Sequence, residues 1–130
     1  MTGHRQAGAA ACPCGGLDAR RKPLPFARCC GRYLGGGEAA PDAPSLMRSR
    51  YTAFVLGDEA YLLATWHAAT RPIEARSQPG SQWLGLEVRD DRLVDATHAE
   101  VEFVARLRPG SGPALRLHER SRFVREGGRW

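Results

Sequence analysis

No stretch of this chain stays apolar for the roughly 18 residues that a membrane-spanning helix needs. The longest candidates, YTAFVL and AYLLATW, are the size of core segments. The opening residues, MTGHRQAGAAA, are small and polar and lack the apolar centre of a secretion signal. The chain is therefore expected in the cytoplasm and off the membrane, where thiols stay reduced. No cysteine follows Tyr33, and Lys22 is the single lysine among 19 basic residues. The triple glycine 35–37 is not followed by the Gly-Lys-Ser/Thr of a phosphate loop. No ordered Ser, His and Asp set and no pair of carboxylates marks a named reaction.

The four cysteines that are present, Cys12, Cys14, Cys29 and Cys30, fall within 19 consecutive residues. In a reducing compartment such clustering points to metal ligands before disulfides. Zn²⁺ takes four soft ligands in a tetrahedron. Pro13 stiffens the first pair, Gly15 and Gly16 allow a sharp return, and Gly31 offers a bend beside the second pair. The segment between the pairs holds only Leu24 and Phe26 as sizeable apolar residues. That is too little for an independent core, so a cross-link must order it. Structural zinc is preferred over a reactive-thiol site, which would also place arginine near cysteine, and over inert free thiols. Four protein thiolates would leave no open position for catalysis on the metal.

Charge is unevenly spread. Residues 1–37 carry six basic residues and one acid, whereas 38–130 carry 13 of each. The basic excess belongs to the cysteine segment, and the neutral body makes nucleic acid a minor candidate partner.

The expected organisation is a disordered stretch over 1–11, a zinc-binding segment and linker over 12–37, and an α+β domain over 38–130. Residues 31–44 are rich in glycine and proline and read as loop. Asp42 and Pro44 open a helix over 43–56, which Gly57 ends; Asp58 caps a second over 59–68. On the first helix, Leu46, Met47, Tyr51, Phe54 and Val55 form the apolar side, with Arg48, Ser49 and Thr52 on another. Alternation then predicts strands. Leu84, Leu86 and Val88 share one face, and Asp90, Asp91 and Asp95 are turn residues. Val101, Phe103, Ala105 and Leu107 alternate with charged residues. Leu115, Leu117 and Phe123 oppose Arg116, His118, Arg120 and Arg122. Glu119 falls on the apolar parity, where it would need a cation such as Arg50. The EGGR stretch is a hairpin turn. Helices first and an antiparallel meander second make an α+β fold.

The stretches CPCG and CCGRY resemble the SEC-C zinc-binding motif. LMRSRYTAFVLGDEAYLLATWH, WLGLEV and ERSRFV with the following GRW resemble the YchJ-type family of bacterial proteins, UPF0225. The resemblance runs from Cys12 to Trp130. It implies a cone-shaped nuclear transport factor two-like (NTF2-like) fold, with helices packed on a curved antiparallel sheet, behind an N-terminal zinc knuckle carried by Cys12, Cys14, Cys29 and Cys30. The gap between the cysteine pairs, 14 residues, is longer than the family's usual one. Members typically continue beyond the position of Trp130, so a cone lacking its last strand is expected.

Cone folds often enclose a cavity, and Tyr51, Trp66, His67 and Trp83 are the candidate lining, with His67 either an acid/base or a helix-end residue facing free carbonyls. Arg48 and Arg50 either hold an anion or pair with acids of the sheet. The row from Arg116 to Arg122 either lines a cavity or faces solvent. The leading expectation is a non-catalytic binding or adaptor protein whose zinc knuckle docks an acidic protein partner or whose cone binds a small molecule. SEC-C motifs in other proteins are associated with partner binding. The alternative is a small enzyme acting on a ligand in the cone cavity.

Overall fold

The computed structural model describes residues 9–73, 81–110 and 112–130. A 3₁₀ turn at Phe26–Arg28 and a one-turn helix α1 at Gly31–Leu34 precede helices α2, Ala43–Leu56, and α3, Glu59–Ala64. Strands β1, Gln82–Asp95, β2, His98–Arg108, and β3, Leu115–Val124, follow. They form one antiparallel sheet in the order β1-β2-β3.

α2 begins and ends as its sequence dictates. Asp42 accepts a hydrogen bond from the Ser45 amide at 2.8 Å, and Gly57 closes the helix at φ 74°. α3 is shorter than expected. Thr65 turns its hydroxyl back to the Tyr61 carbonyl at 2.8 Å, and Arg50 reaches across to Leu62 O and Thr65 Oγ1. The carbonyls that would extend the helix are thus already taken. Most of the expected unstructured stretch, residues 1–8, lies outside the described residues; Ala10 and Ala11, by contrast, pair with Phe26 and Pro25. The expected loop over 31–44 begins with α1, because Gly31 packs so tightly on Phe26 that the turn can wind: a Cβ at Gly31 would stand 2.7 Å from Phe26 O.

The sheet departs from the expected alternation at β1. Register shifts lie between Trp83 and Gly85, between Val88 and Asp90, and between Leu93 and Asp95. Leu84 is the extra residue of the first bulge. It points out, 43% exposed, while Trp83, Leu86 and Val88 face the helices. Asp90 and Asp91 lie inside this long strand and are paired with Glu102 and Val101; the turn sits at Asp95, whose carboxylate accepts the Thr97 amide. Repeated bulges bend the strand and curve the sheet around α2.

Val101, Phe103 and Ala105 of β2 are buried as the alternation requires, and Val104 of the opposite parity is buried too. Leu115 and Leu117 of β3, expected in the core, are exposed, and so is Glu119, which therefore needs no buried cation. α2 lies over β1 and β2. The row Arg116, His118, Arg120 and Arg122 faces solvent, where Arg120 bridges Glu100 at 2.8 Å and Asp90 at 3.1 Å. Gly127 and Gly128, both at positive φ, make the expected hairpin turn between Glu126 and Arg129.

Candidate metal centre

The cysteine segment is folded by its own short-range bonds. Gly15 turns the chain at φ 76°, and its amide donates to Cys12 O at 3.1 Å. The Gly16 amide then donates to Cys14 Sγ at 3.3 Å, the sort of contact that steadies a thiolate. Gly16 has to be glycine-sized: a Cβ there would meet Cys29 Sγ at 3.1 Å and Cys14 Sγ at 3.4 Å.

The long gap between the pairs is absorbed by a small hairpin. Leu17 bridges Pro23 and Ala11 bridges Pro25. Asp18 ties the tip by accepting the amides of Arg20 and Lys22 at 2.8 and 3.0 Å. Arg21 takes the left-handed conformation, φ 63°, at that tip. The hairpin therefore returns the chain to the first cysteine pair across the 14-residue gap. The bend at the second pair falls on Cys29 itself, φ −123° and ψ −116°, and not on Gly31.

All four Sγ atoms lie within 4.8 Å of one another, and Cys14 and Cys29 are 3.5 Å apart. A tetrahedron with Zn–S bonds of about 2.3 Å has edges of about 3.8 Å. The donor set and the spacing fit a tetrahedral, thiophilic ion. Every one of the four is buried, from 0% exposed at Cys14 to 7% at Cys29. Within the cluster, hydrogen bonds from Cys14, Cys29 and Cys30 hold the Cys12 thiol far below its ordinary range. Their contacts with Cys12 and Cys14 push Cys29 and Cys30 up. The contact with Cys12 raises the Cys14 thiol, but hydrogen bonds with Cys29 and Cys30 bring it down to about 7. The cluster thus leans toward deprotonation, and a divalent ion would draw off the remaining protons.

The centre is not an appendage. Cys12, Cys14, Cys29 and Cys30 share a single core cluster with Phe26, Tyr51, Phe103 and Ala105. Two residues of α2 join it directly. Arg48 Nη1 donates to Cys14 O at 3.0 Å, and Thr52 Oγ1 lies 3.7 Å from Cys12 Sγ. From the sequence, Arg48 is expected to hold an anion or pair with acids of the sheet, and Thr52 only to lie on the polar side; neither expectation points to the knuckle. The available signal was their i,i+4 spacing, which puts both on one stripe of α2. Ser49 and Thr52, expected on a polar side, are fully buried, because α2 packs against the knuckle and α3 as well as the sheet. Ser49 donates to Leu46 O at 2.8 Å and lies 2.7 Å from the Tyr61 hydroxyl.

The four candidate pocket residues occupy different settings. Tyr51 and Trp83 meet edge to face at 5.6 Å inside the core. Trp66 instead lies under the Arg50 guanidinium, 4.9 Å from its ring centre. His67 is at the surface. Its Nδ1 accepts the Ala69 amide at 3.1 Å, which leaves Nε2 to face Glu126 at 3.2 Å. It caps no helix carbonyl. Arg48 and Arg50 both serve backbone carbonyls, Cys14 O and Leu62 O. Two surface clefts, of about 240 and 120 Å³, are lined by other residues. Among the described residues, no helix is long and apolar enough to cross a membrane.

Residues 42–130 match a family model described as the YchJ middle NTF2-like domain. UPF0225 proteins of Polaromonas sp. and Polaromonas naphthalenivorans are 65% and 60% identical, covering 93% and 92% of this chain and 88% and 91% of their own. A SEC-C motif containing protein from Rhodopseudomonas palustris is 33% identical, with a TM-score of 0.76 over 92% of both chains. Another from Psychrobacter arcticus is 30% identical, with a TM-score of 0.76 over 94% of this chain and 77% of that one. Sequence, fold and the buried thiol cluster agree, and the chain belongs to the UPF0225 family of YchJ-type, NTF2-like proteins.

Proposed function

We propose that this chain is a cytoplasmic zinc-binding protein in which one Zn²⁺ has a structural role, and that it acts as a binding module without catalysing a reaction at the metal. One observation carries the reading: four buried thiols lie within one ion's reach inside the core that the knuckle shares with the body. Four thiolates complete a tetrahedral shell, so no position is left for water or substrate. Bound zinc would supply the cross-link that Leu24 and Phe26 cannot provide. Its binding energy, of order 10 kcal/mol, would count as folding energy. All four cysteines are free of disulfides, which suits a reducing compartment.

What the chain's own residues do is hold a surface rigid. The Gly16 amide and the Arg48 guanidinium anchor Cys14, and Thr52 backs Cys12. The basic segment is thereby presented in one fixed orientation, which lowers the entropic cost of meeting a partner.

The test is elemental analysis of purified protein beside a Cys29→Ser variant. About one zinc per chain is expected, lost or much weakened in the variant. Stoichiometric zinc in Cys29→Ser would remove this ligand set. Iron in place of zinc would change the metal assignment, since four thiolates also suit iron.

A further inference from the structure

Between the knuckle and the start of α2 runs a cleft of about 240 Å³ that borders the thiol cluster at Cys29 and Cys30 and extends away from it to α1 and α2. Gly16, Leu17, Leu24, Cys29 and Cys30 form one wall. Arg32 and Tyr33 of α1, with Ser45 and Arg48 of α2, form the other. Its charged lining is two arginines and no acid.

Both guanidiniums are pinned by one edge. Arg32 Nε donates to Cys29 O at 3.0 Å, and its Cζ lies 4.9 Å from the centre of the Tyr33 ring. Arg48 Nη1 donates to Cys14 O at 3.0 Å. These bonds use one N–H of each and leave the remaining donors available along the cleft. Tyr33 is itself held. Burial pushes its phenol up, while the Arg32 charge and a hydrogen bond with Ser45 oppose that rise. Leu24 is half-buried and Leu17 is 48% exposed at the mouth. The site thus offers forked donors with little left to order, a hydroxyl, and an apolar lip.

We propose that this cleft binds a carboxylate side chain of an acidic peptide segment, with a neighbouring apolar side chain resting on Leu17 and Leu24. Forked guanidinium donors match the two oxygens of a carboxylate. The apolar lip favours a peptide over a phosphate, which would have nothing to place there. A tetrathiolate zinc centre carries two net negative charges, which the two arginines offset. Recognition therefore comes from directed donors more than from a positive field, and it should survive moderate salt better than phosphate-backbone binding does. The proposal rests on the structural-zinc reading, because the metal fixes Cys14 and Cys29, to whose carbonyls the arginines are tied.

The test uses the whole, zinc-analysed chain and a fluorescein-labelled peptide, Gly-Leu-Glu-Leu-Glu-Gly, beside its Gln counterpart. Saturable binding is expected, weaker by at least about tenfold for the Gln peptide. Ser45→Glu suits the third position of α2 after the Asp42 cap and should fold well. It places a carboxylate of the protein's own in the cleft and should weaken the Glu peptide by a similar factor, as should Arg32→Gln. Arg116→Gln, which removes a charge from the far face of the sheet, should change nothing. Equal binding of the two peptides, no effect of Ser45→Glu at unchanged zinc content, or an equal loss in Arg116→Gln would overturn the proposal. So would displacement of the peptide by inorganic phosphate or a single-stranded oligonucleotide at lower concentration than by free peptide. A chain that purifies without metal removes the zinc reading and this one with it. A zinc-loaded chain that binds neither peptide removes this one alone.

Discussion

The Arg48 side chain, on the first turns of α2, donates from Nη1 to the carbonyl oxygen of Cys14 at 3.0 Å, 34 residues away in the chain. A helix of the NTF2-like body thus holds the backbone of one of the four clustered cysteines. The bond is half-buried, so deleting the donor leaves a carbonyl with poor access to water. Arg48→Gln is expected to cost about 1–3 kcal/mol, with the metal still bound. Denaturant titration checks the first part and metal analysis the second. A loss of metal with unchanged stability would mean that Arg48 serves the ligands and not the joint.

The shared core makes a stronger statement. Because the four cysteines pack with Tyr51, Phe103 and Ala105, stripping the metal should disturb the sheet as well as the knuckle. Losing about 10 kcal/mol rivals the whole stability of a domain this size. Treatment with a strong chelator is expected to abolish near-ultraviolet signal from Trp83, which contacts Tyr51, together with far-ultraviolet strand signal, in one transition. A sheet that keeps its signal while the metal leaves would show two independent units.

The thiol cluster was legible because thiols are scarce and all four fall within 19 consecutive residues. α2 was legible from Asp42, Pro44 and Gly57, which are local signals acting on local backbone. What was not legible is non-local. Ser49 and Thr52 look like a solvent face until one knows that the knuckle folds back onto them. Leu84 looks inward by alternation, yet a bulge moves it out; a bulge depends on the partner strand, which the alternation of one strand does not encode. The pocket of Tyr51, Trp66, His67 and Trp83 was assembled from residue types. Arg50 covers the Trp66 ring, and His67 is exposed, facing Glu126 from far along the chain.

Gly16 offers a sharper probe of the centre than any cysteine, because it changes space and leaves all four ligands in place. A Cβ there would approach Cys29 Sγ at 3.1 Å and Cys14 Sγ at 3.4 Å. Gly16→Ala must push one of the two sulfurs outward by a few tenths of an ångström. Metal release to a chelator should be faster in Gly16→Ala than in the parent, with one metal per chain still bound at the start. Gly37→Ala is the control. Its Cβ meets nothing within 4 Å, and its cost is confined to the positive φ of 77°. An unchanged release rate in Gly16→Ala would mean that the knuckle is looser than its geometry suggests.

His67 separates the binding-module reading from the enzyme reading. It is exposed, and its polar contacts among the described residues are the Ala69 amide and the Thr70 amide and hydroxyl of its own loop and the Glu126 carboxylate. An exposed pair of this kind contributes little. His67→Ala should shift stability by no more than about 0.5 kcal/mol and leave peptide binding at the knuckle unchanged. If that variant abolished a turnover detectable in the parent chain, the residue would be an acid/base and the non-catalytic reading would fall.

The tyrosines give a pH prediction with a definite sign. The chain has three, Tyr33, Tyr51 and Tyr61, and burial raises the phenol of each above its ordinary value. The Arg32 charge and Ser45 at Tyr33, the Gly85 backbone at Tyr51, and Ser49 at Tyr61 offset part of the rise without reversing it. An unfolded tyrosine loses its proton near pH ~10. Above that pH the unfolded chain has given up protons that the folded chain keeps, so stability is intact below it and falls as pH rises beyond it. No tyrosine in the chain escapes this rise. Raising the pH slowly should therefore produce no phenolate absorbance at the ordinary tyrosine midpoint. The band should emerge later, together with the loss of far-ultraviolet structure. A smooth titration of one tyrosine near pH ~10 in the folded protein would show that its burial is transient, and the three rings sit where that answer discriminates: Tyr33 under the cleft, Tyr51 against the metal core, and Tyr61 between α3 and α2.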